Sequence, residues 1–288
     1  MAYSRRSLLK QLAGGAAFLG IGGPALDAAR LIGNDLKGNI NHSVSRWTYG
    51  NYELDELCQH AKAIGIGSVE LLDPDEFQTV LDHGLTCAMV NAPGTIEEGF
   101  NDPNNHDQLI PAYEERIPKV AEAGFPNLIC FSGNRNGISD EEGIENCFRG
   151  IEPFIGLAEQ HDVTICMEYL NSIHNHPDYH FDYMDFGVEV ANRIGSDHFK
   201  LLYDIYHVQI MEGDLIHKIR EHSDLIAHYH TGGVPGRNEI DETQEIYYPA
   251  VMEAIVETGF DGWVGQEFVP TWDDDLAALE RAVEICDV

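Results

Sequence analysis

The chain has 288 residues, with 49 Asp and Glu against 17 Lys and Arg and a formal net charge of -32. So large an acidic excess argues against nucleic acid and anionic membranes as partners, because phosphate binding needs cations. It also gives a heavily solvated surface suited to high salt. The melting temperature is therefore expected to rise with KCl, and a flat or falling value would count against this.

Taken in order, the chain opens with Ser4-Arg5-Arg6-Ser7-Leu8-Leu9-Lys10, then a weakly apolar, Gly- and Ala-rich run to about Ala29. This layout resembles a twin-arginine export signal, so residues 1–30 are set aside from the fold. The reading implies use of the twin-arginine export machinery and a periplasmic or otherwise extracytoplasmic location. The alternative is a frayed amphipathic helix that happens to carry Arg-Arg. The apolar run is too short and glycine-rich for a comfortable membrane span. Residues 35–288 are then one domain's worth of chain, since barrels of the type argued below run to roughly 250 residues.

From Gly38 onward short apolar runs alternate with longer, charged, helix-like segments. Strands are expected at Ile40 to Val44, Ser68 to Leu72, Thr86 to Val90, Asn127 to Phe131, Val163 to Met167, Phe199 to Tyr203, Leu225 to Tyr229 and Trp263 to Gln266. Helical periodicity puts Leu54, Leu57, Cys58 and Ala61 on one face, and Val188, Val190, Ala191 and Ile194 on another less cleanly. This alternation predicts an α/β fold with a parallel sheet, most economically a single (β/α)8 TIM barrel. An open, doubly wound sheet is the alternative, but the chain has no Gly-x-Gly-x-x-Gly turn to cradle a dinucleotide. None of the six cysteines forms a Cys-x-x-Cys pair, and they read as small core residues.

Four strand candidates stop on a chemistry-bearing side chain. Val163 to Met167 ends on Glu168, Phe199 to Tyr203 on Asp204, Leu225 to Tyr229 on His230, and Gly262 to Gln266 on Glu267. One such residue would mean only that loops are polar; four, gathered on the catalytic face of a barrel, point to a divalent-metal site. Three carboxylates and one imidazole suit Mn²⁺, Mg²⁺ or Co²⁺, and Zn²⁺ is compatible as well. His207, three residues after Asp204, is placed to donate to a substrate oxygen or to assist the metal, against the plainer reading of a surface or core-capping histidine. Arg237 closes the turn-rich Gly232-Gly233-Val234-Pro235-Gly236-Arg237 and suits a two-pronged grip on a carboxylate. Its alternative is a loop ion pair with Glu239 or Glu245. Glu70 sits inside an apolar run and could face the barrel interior, but a structural partner would account for it, so it is left out of the site. His174, His176 and His180 read as flexible polar loop residues rather than a second metal site.

The run from Lys200 to Ile216 resembles the sixth-strand segment of the hydroxypyruvate isomerase family, a branch of the xylose isomerase-like barrels. Gly259 to Glu267 is similar to that family's eighth strand, and Val234 to Arg237 to its loop after the seventh. The resemblance is densest from Glu168 to Pro270. It implies that Glu168, Asp204, His230 and Glu267 bind a divalent metal and that His207 and Arg237 contact substrate. Three departures bear on the substrate: Tyr169 stands where the family usually has proline, His230 looks more like the ketose epimerase relatives than the glutamine common in hydroxypyruvate isomerases, and His174 to His180 would reshape the mouth.

The chemistry expected of such a site is aldose–ketose isomerisation through an enediolate. A proton leaves the carbon beside a carbonyl and returns one atom away, with Glu168 and Glu267 as catalytic proton shuttles. The expected substrate is a small hydroxy-keto acid or sugar, with hydroxypyruvate and tartronate semialdehyde as the leading pair. A ketose 3-epimerase or other sugar isomerase or epimerase is the runner-up, and export itself favours an extracellular sugar. A non-catalytic periplasmic sugar-binding barrel is the alternative outside enzymology. A metal-dependent endonuclease of the same superfamily is disfavoured by the charge. Homo-oligomerisation is left open.

Overall fold

The computed structural model describes residues 36–288, so the export-signal reading of residues 1–30 lies outside the described residues. Gly33–Val288 form one compact unit. Strands and helices alternate as β1 (Asn41–Ser45), α1 (Leu54–Ala63), β2 (Ser68–Glu70), α2 (Phe77–Asp82), α3 (His106–Ala123), β3 (Asn127–Cys130), α4 (Asp140–His161), β4 (Thr164–Glu168), α5 (Met184–Ile194), β5 (Phe199–Asp204), α6 (Ile205–Met211), α7 (Leu215–Glu221), β6 (Ile226–Thr231), α8 (Tyr248–Glu257), β7 (Trp263–Gln266) and α9 (Asp275–Cys286). Helix boundaries follow local chemistry. Ser139 caps α4 by accepting from the Glu142 N–H, and Gly124 and Gly195 end α3 and α5 in the left-handed conformation.

The strands form one sheet in the order β2-β1-β7-β6-β5-β4-β3, with every neighbouring pair parallel. The eighth position differs from the sequence expectation, because residues 86–90 form no regular strand. Isolated bridges tie them to both edges, Ser68 to Thr86 and Leu72 to Val90 on one side and Val90 to Leu128 on the other. The ring therefore closes as a (β/α)8 barrel. The irregularity has a side-chain cause: Ser68 Oγ accepts from the Ala88 N–H at 2.8 Å, and Asn127 Nδ2 donates to the Ala88 carbonyl at 2.8 Å. These bonds take the backbone groups that a ladder would use.

A large core lies between sheet and helices, and a smaller apolar cluster of Leu71, Met89, Ile129, Cys166 and Leu202 fills part of the barrel. All six cysteines are buried and unpaired, as the core reading requires. His180 departs from expectation, because it is a buried side chain rather than a flexible loop residue. Its Nδ1 faces Asn101 Nδ2 at 3.0 Å, and its Nε2 faces Asp140 at 3.2 Å.

Burial, reinforced by Arg135, lowers the pKa of His180 to about 4, and burial lowers that of His42 to about 4 against a weaker opposite pull from Asp287. Unfolded, both titrate near 6.5. The unfolded chain thus binds more protons between these values, so their contribution is complete above about pH 6.5 and is lost as pH falls toward 4. For His42 that gap corresponds to about 3 kcal/mol. Thermal melts should show stability falling across this window, with a shallower slope in His42→Leu. An unchanged slope would contradict the assignment to His42.

Candidate metal centre and active site

Glu168 and Asp204 are the last residues of β4 and β5, His230 is the penultimate residue of β6, and Glu267 directly follows β7. Parallel neighbours in register bring these ends together on one face, and Asp204 pairs directly with His230. All four side chains are almost wholly buried, and each offers a ligand atom within 4.8 Å of the others. His230 Nδ1 lies 3.1 Å from Glu168 Oε1 and 2.8 Å from Glu267 Oε2.

The sequence spacing of Asp204 and His207 has a local cause. Asp204 caps α6, its Oδ1 accepting from the His207 N–H at 3.0 Å, which turns the imidazole back over the strand end. His207 is fully buried, excluding the surface reading. The Asn171 backbone N–H (3.0 Å) and Nδ2 (2.6 Å) both approach its Nδ1. With Nδ1 accepting, the hydrogen of the neutral ring sits on Nε2. That Nε2 is buried, 3.5 Å from Asp204 Oδ2, and has no hydrogen-bond partner among the described residues. Burial lowers the His207 pKa well below that of a free histidine, and Arg237 adds to the effect. With its hydrogen on Nε2, 3.5 Å from Asp204 Oδ2, His207 offers a donor there rather than a lone pair. His207→Gln is expected to lower kcat/KM by about 100-fold while leaving Mn²⁺ affinity within twofold. A parallel loss of Mn²⁺ affinity would instead make it a ligand.

Arg237 makes neither of the loop pairings considered for it. Its Nη2 lies 2.6 Å from Glu267 Oε2 and 3.4 Å from Asp204 Oδ2. Its guanidinium is held between the rings of Trp47 (5.2 Å) and Tyr206 (5.5 Å). Glu239 is engaged elsewhere, accepting from the Thr271 and Trp272 N–H groups. Arg237 Nε is buried and has no hydrogen-bond partner among the described residues.

Trp47, which no sequence motif marks, joins the site: its Nε1 donates to Glu267 Oε1 at 2.7 Å. It lies two residues past β1, beyond the position that the strand-end pattern marks. Asn171 opens the loop of residues 171–180, its Oδ1 accepting from the His174 and Asn175 N–H groups. That loop is anchored to the site, with the Tyr206 hydroxyl donating to Asn175 Oδ1 and the His176 ring centroid 5.4 Å from that of His207.

Electrostatics separate the carboxylates. Burial raises Glu168, and the Glu267 charge adds to this against the pull of His230. Burial also raises Asp204 to about 7, opposed by Arg237 and aided by Glu267. Glu267 is the opposite case: Arg237 and His230 outweigh its burial and hold it well below the usual carboxylate range. Three carboxylates crowded out of water repel one another, and a divalent cation relieves that repulsion. The oxygen-rich donor set with one imidazole fits Mn²⁺, Mg²⁺ or Co²⁺ by ligand chemistry.

A family model described as a xylose isomerase-like TIM barrel matches residues 58–285. The hydroxypyruvate isomerase of Escherichia coli K12 is 28% identical over 234 residues, covering 77% of this chain and 90% of that protein. The 2-oxo-tetronate isomerase of Pectobacterium atrosepticum is 28% identical over 231 residues, covering 75% and 86% respectively. Among solved structures, a Brucella melitensis protein described as an AP endonuclease of family 2 superposes with a TM-score of 0.74 at 22% identity, over 83% of this chain and 97% of that one. At that identity the likeness speaks for the fold alone.

Proposed function

Because the chain belongs to the xylose isomerase-like TIM-barrel family, we propose that it is a divalent-metal-dependent isomerase of a short hydroxy-keto acid. Hydroxypyruvate and tartronate semialdehyde are the leading substrate pair. The observation that carries this reading is the pair Glu168 and Glu267, held at 3.1 and 2.8 Å from the same nitrogen of His230, beside a guanidinium and an unpartnered imidazole N–H. Two carboxylates converging on a common point are what proton removal and return on adjacent carbons require.

In this reading Arg237 grips the substrate carboxylate through its free Nε–H, and His207 donates its Nε2–H to a substrate oxygen. One member of the Glu168 and Glu267 pair takes the proton from the hydroxymethyl carbon. A proton is then returned to the former carbonyl carbon, while the hydroxyl proton passes between the two oxygens, so substrate and product are isomers. A divalent cation held by Glu168, Asp204, His230 and Glu267 supplies electrostatic stabilisation of the negative charge of the enediolate. The buried setting excludes water from these transfers.

The ketose epimerase reading uses the same residues and is favoured by His230 at the seventh-strand position. Incubation of metal-loaded protein with hydroxypyruvate and a ketose panel separates the two. An aldehyde proton by NMR supports the proposal; turnover of a ketose alone replaces it with the runner-up; binding without turnover leaves a sugar-binding barrel. Export is proposed from Arg5-Arg6 and the Gly- and Ala-rich run after them. Cytoplasmic retention of a variant with both arginines changed to lysine would support it, and unchanged localisation would count against it.

A further inference from the structure

Glu70, the last residue of β2, is fully buried, yet the proposed chemistry does not use it. Its Oε1 lies 2.9 Å from His230 Nε2 and 3.1 Å from His228 Nε2. The two imidazoles stand edge to face with ring centroids 5.0 Å apart, so one carboxylate oxygen serves both. An ionised carboxylate only accepts, and each Nε2 facing it therefore carries a hydrogen. That leaves His230 Nδ1 as the nitrogen turned toward Glu168 and Glu267.

The barrel wall is shaped to permit this contact. A Cβ at Gly265 would fall 2.1 Å from Glu70 Oε1 and 2.9 Å from His230 Cδ2. Gly265 stands opposite His230 in the sheet register, so the carboxylate reaches the imidazole through the space a side chain would fill.

We propose that Glu70, braced by His228, is a positioning residue that fixes the orientation and tautomer in which His230 presents Nδ1 to a divalent cation. Its negative charge also makes that nitrogen a stronger donor. The proposal rests on the reading that Glu168, Asp204, His230 and Glu267 hold such an ion. It adds a fifth residue, from a strand on the far side of β1 and β7, to the machinery of the site. A purely structural Glu70 would hold the barrel together without affecting cation affinity.

The test is calorimetric titration of the full chain with Mn²⁺, together with ring-nitrogen NMR of the Zn²⁺-loaded protein. Glu70→Gln keeps the shape and removes the charge; it is expected to weaken Mn²⁺ binding by about 10- to 100-fold with the metal-free fold retained by circular dichroism. Gly265→Ala, which keeps all four ligand residues but crowds Glu70 Oε1 and the edge of the His230 ring together, is expected to weaken it as well. The His230 proton should reside on Nε2 in the Zn²⁺-loaded wild type. Unchanged Mn²⁺ affinity in Glu70→Gln, with normal binding by wild type, would overturn this proposal and leave the metal reading standing. Absence of Mn²⁺ binding by wild type would overturn both. Should the variants not fold, the wild-type spectrum decides: a His230 proton on Nδ1 overturns the proposal.

Discussion

Glu267→Gln is expected to lower kcat/KM by about 10⁴-fold, the upper range for loss of a general acid or base. The carboxylate accepts from Trp47 Nε1 on Oε1 and faces Arg237 Nη2 and His230 Nδ1 on Oε2. A glutamine of the same shape must turn its amide nitrogen toward one of these groups, setting donor against donor. It also removes one charge of a cation-binding set and the base itself. Glu168→Gln should be comparably inactive. Its structural cost should be smaller, since among the described residues the only hydrogen-bond donor on the Glu168 carboxylate is His230 Nδ1, at 3.1 Å. Losing a charge-assisted bond costs about 1.5–3 kcal/mol, so urea melts should place Glu267→Gln below Glu168→Gln in stability. Steady-state kinetics with kcat/KM within tenfold of wild type would remove Glu267 from the mechanism.

Removal of divalent metal by a chelator is expected to abolish activity and lower the melting temperature, with Mn²⁺, Mg²⁺ or Co²⁺ restoring both. The argument is electrostatic. Glu168, Asp204 and Glu267 are almost wholly buried side by side, and Arg237 together with His230 offsets only part of their charge. A bound dication both relieves the remaining repulsion and favours the native state by mass action, worth about 4 kcal/mol when the metal is at 1,000 times its Kd. Differential scanning fluorimetry with and without each ion measures the second effect apart from turnover. Full activity in metal-free protein would contradict the proposal.

What the sequence revealed, and what it hid, follow from the range of the interactions. Glu168, Asp204, His230 and Glu267 were legible because each lies at an abrupt boundary between an apolar strand and a polar loop, and a barrel makes such boundaries converge. Asp204 and His207 were legible as a pair because helix capping acts over three residues. Arg237 was located in its loop, but its partners were not, since Glu267 comes 30 positions later. Glu70 reads in the sequence as a carboxylate inside an apolar run whose partner is structural. Its purpose depends on His228 and His230, 158 and 160 positions away, and on the missing side chain at Gly265. The irregular eighth segment was hidden for the same reason, because the groups that compete for the Ala88 backbone belong to Ser68 and Asn127. His180 reads as loop because its neighbours in sequence are polar, whereas Asn101 and Asp140, which its ring nitrogens face, lie 79 and 40 positions away.

The most direct test of the central claim is solvent proton exchange, followed by NMR in D₂O with Mn²⁺-incubated protein from which the paramagnetic ion is removed before observation. The proposal predicts deuterium at the carbon next to the carbonyl of hydroxypyruvate, and its disappearance in both Glu168→Gln and Glu267→Gln. No exchange in hydroxypyruvate or any member of a ketose panel, by protein shown to have bound metal, would contradict enediolate chemistry at this site.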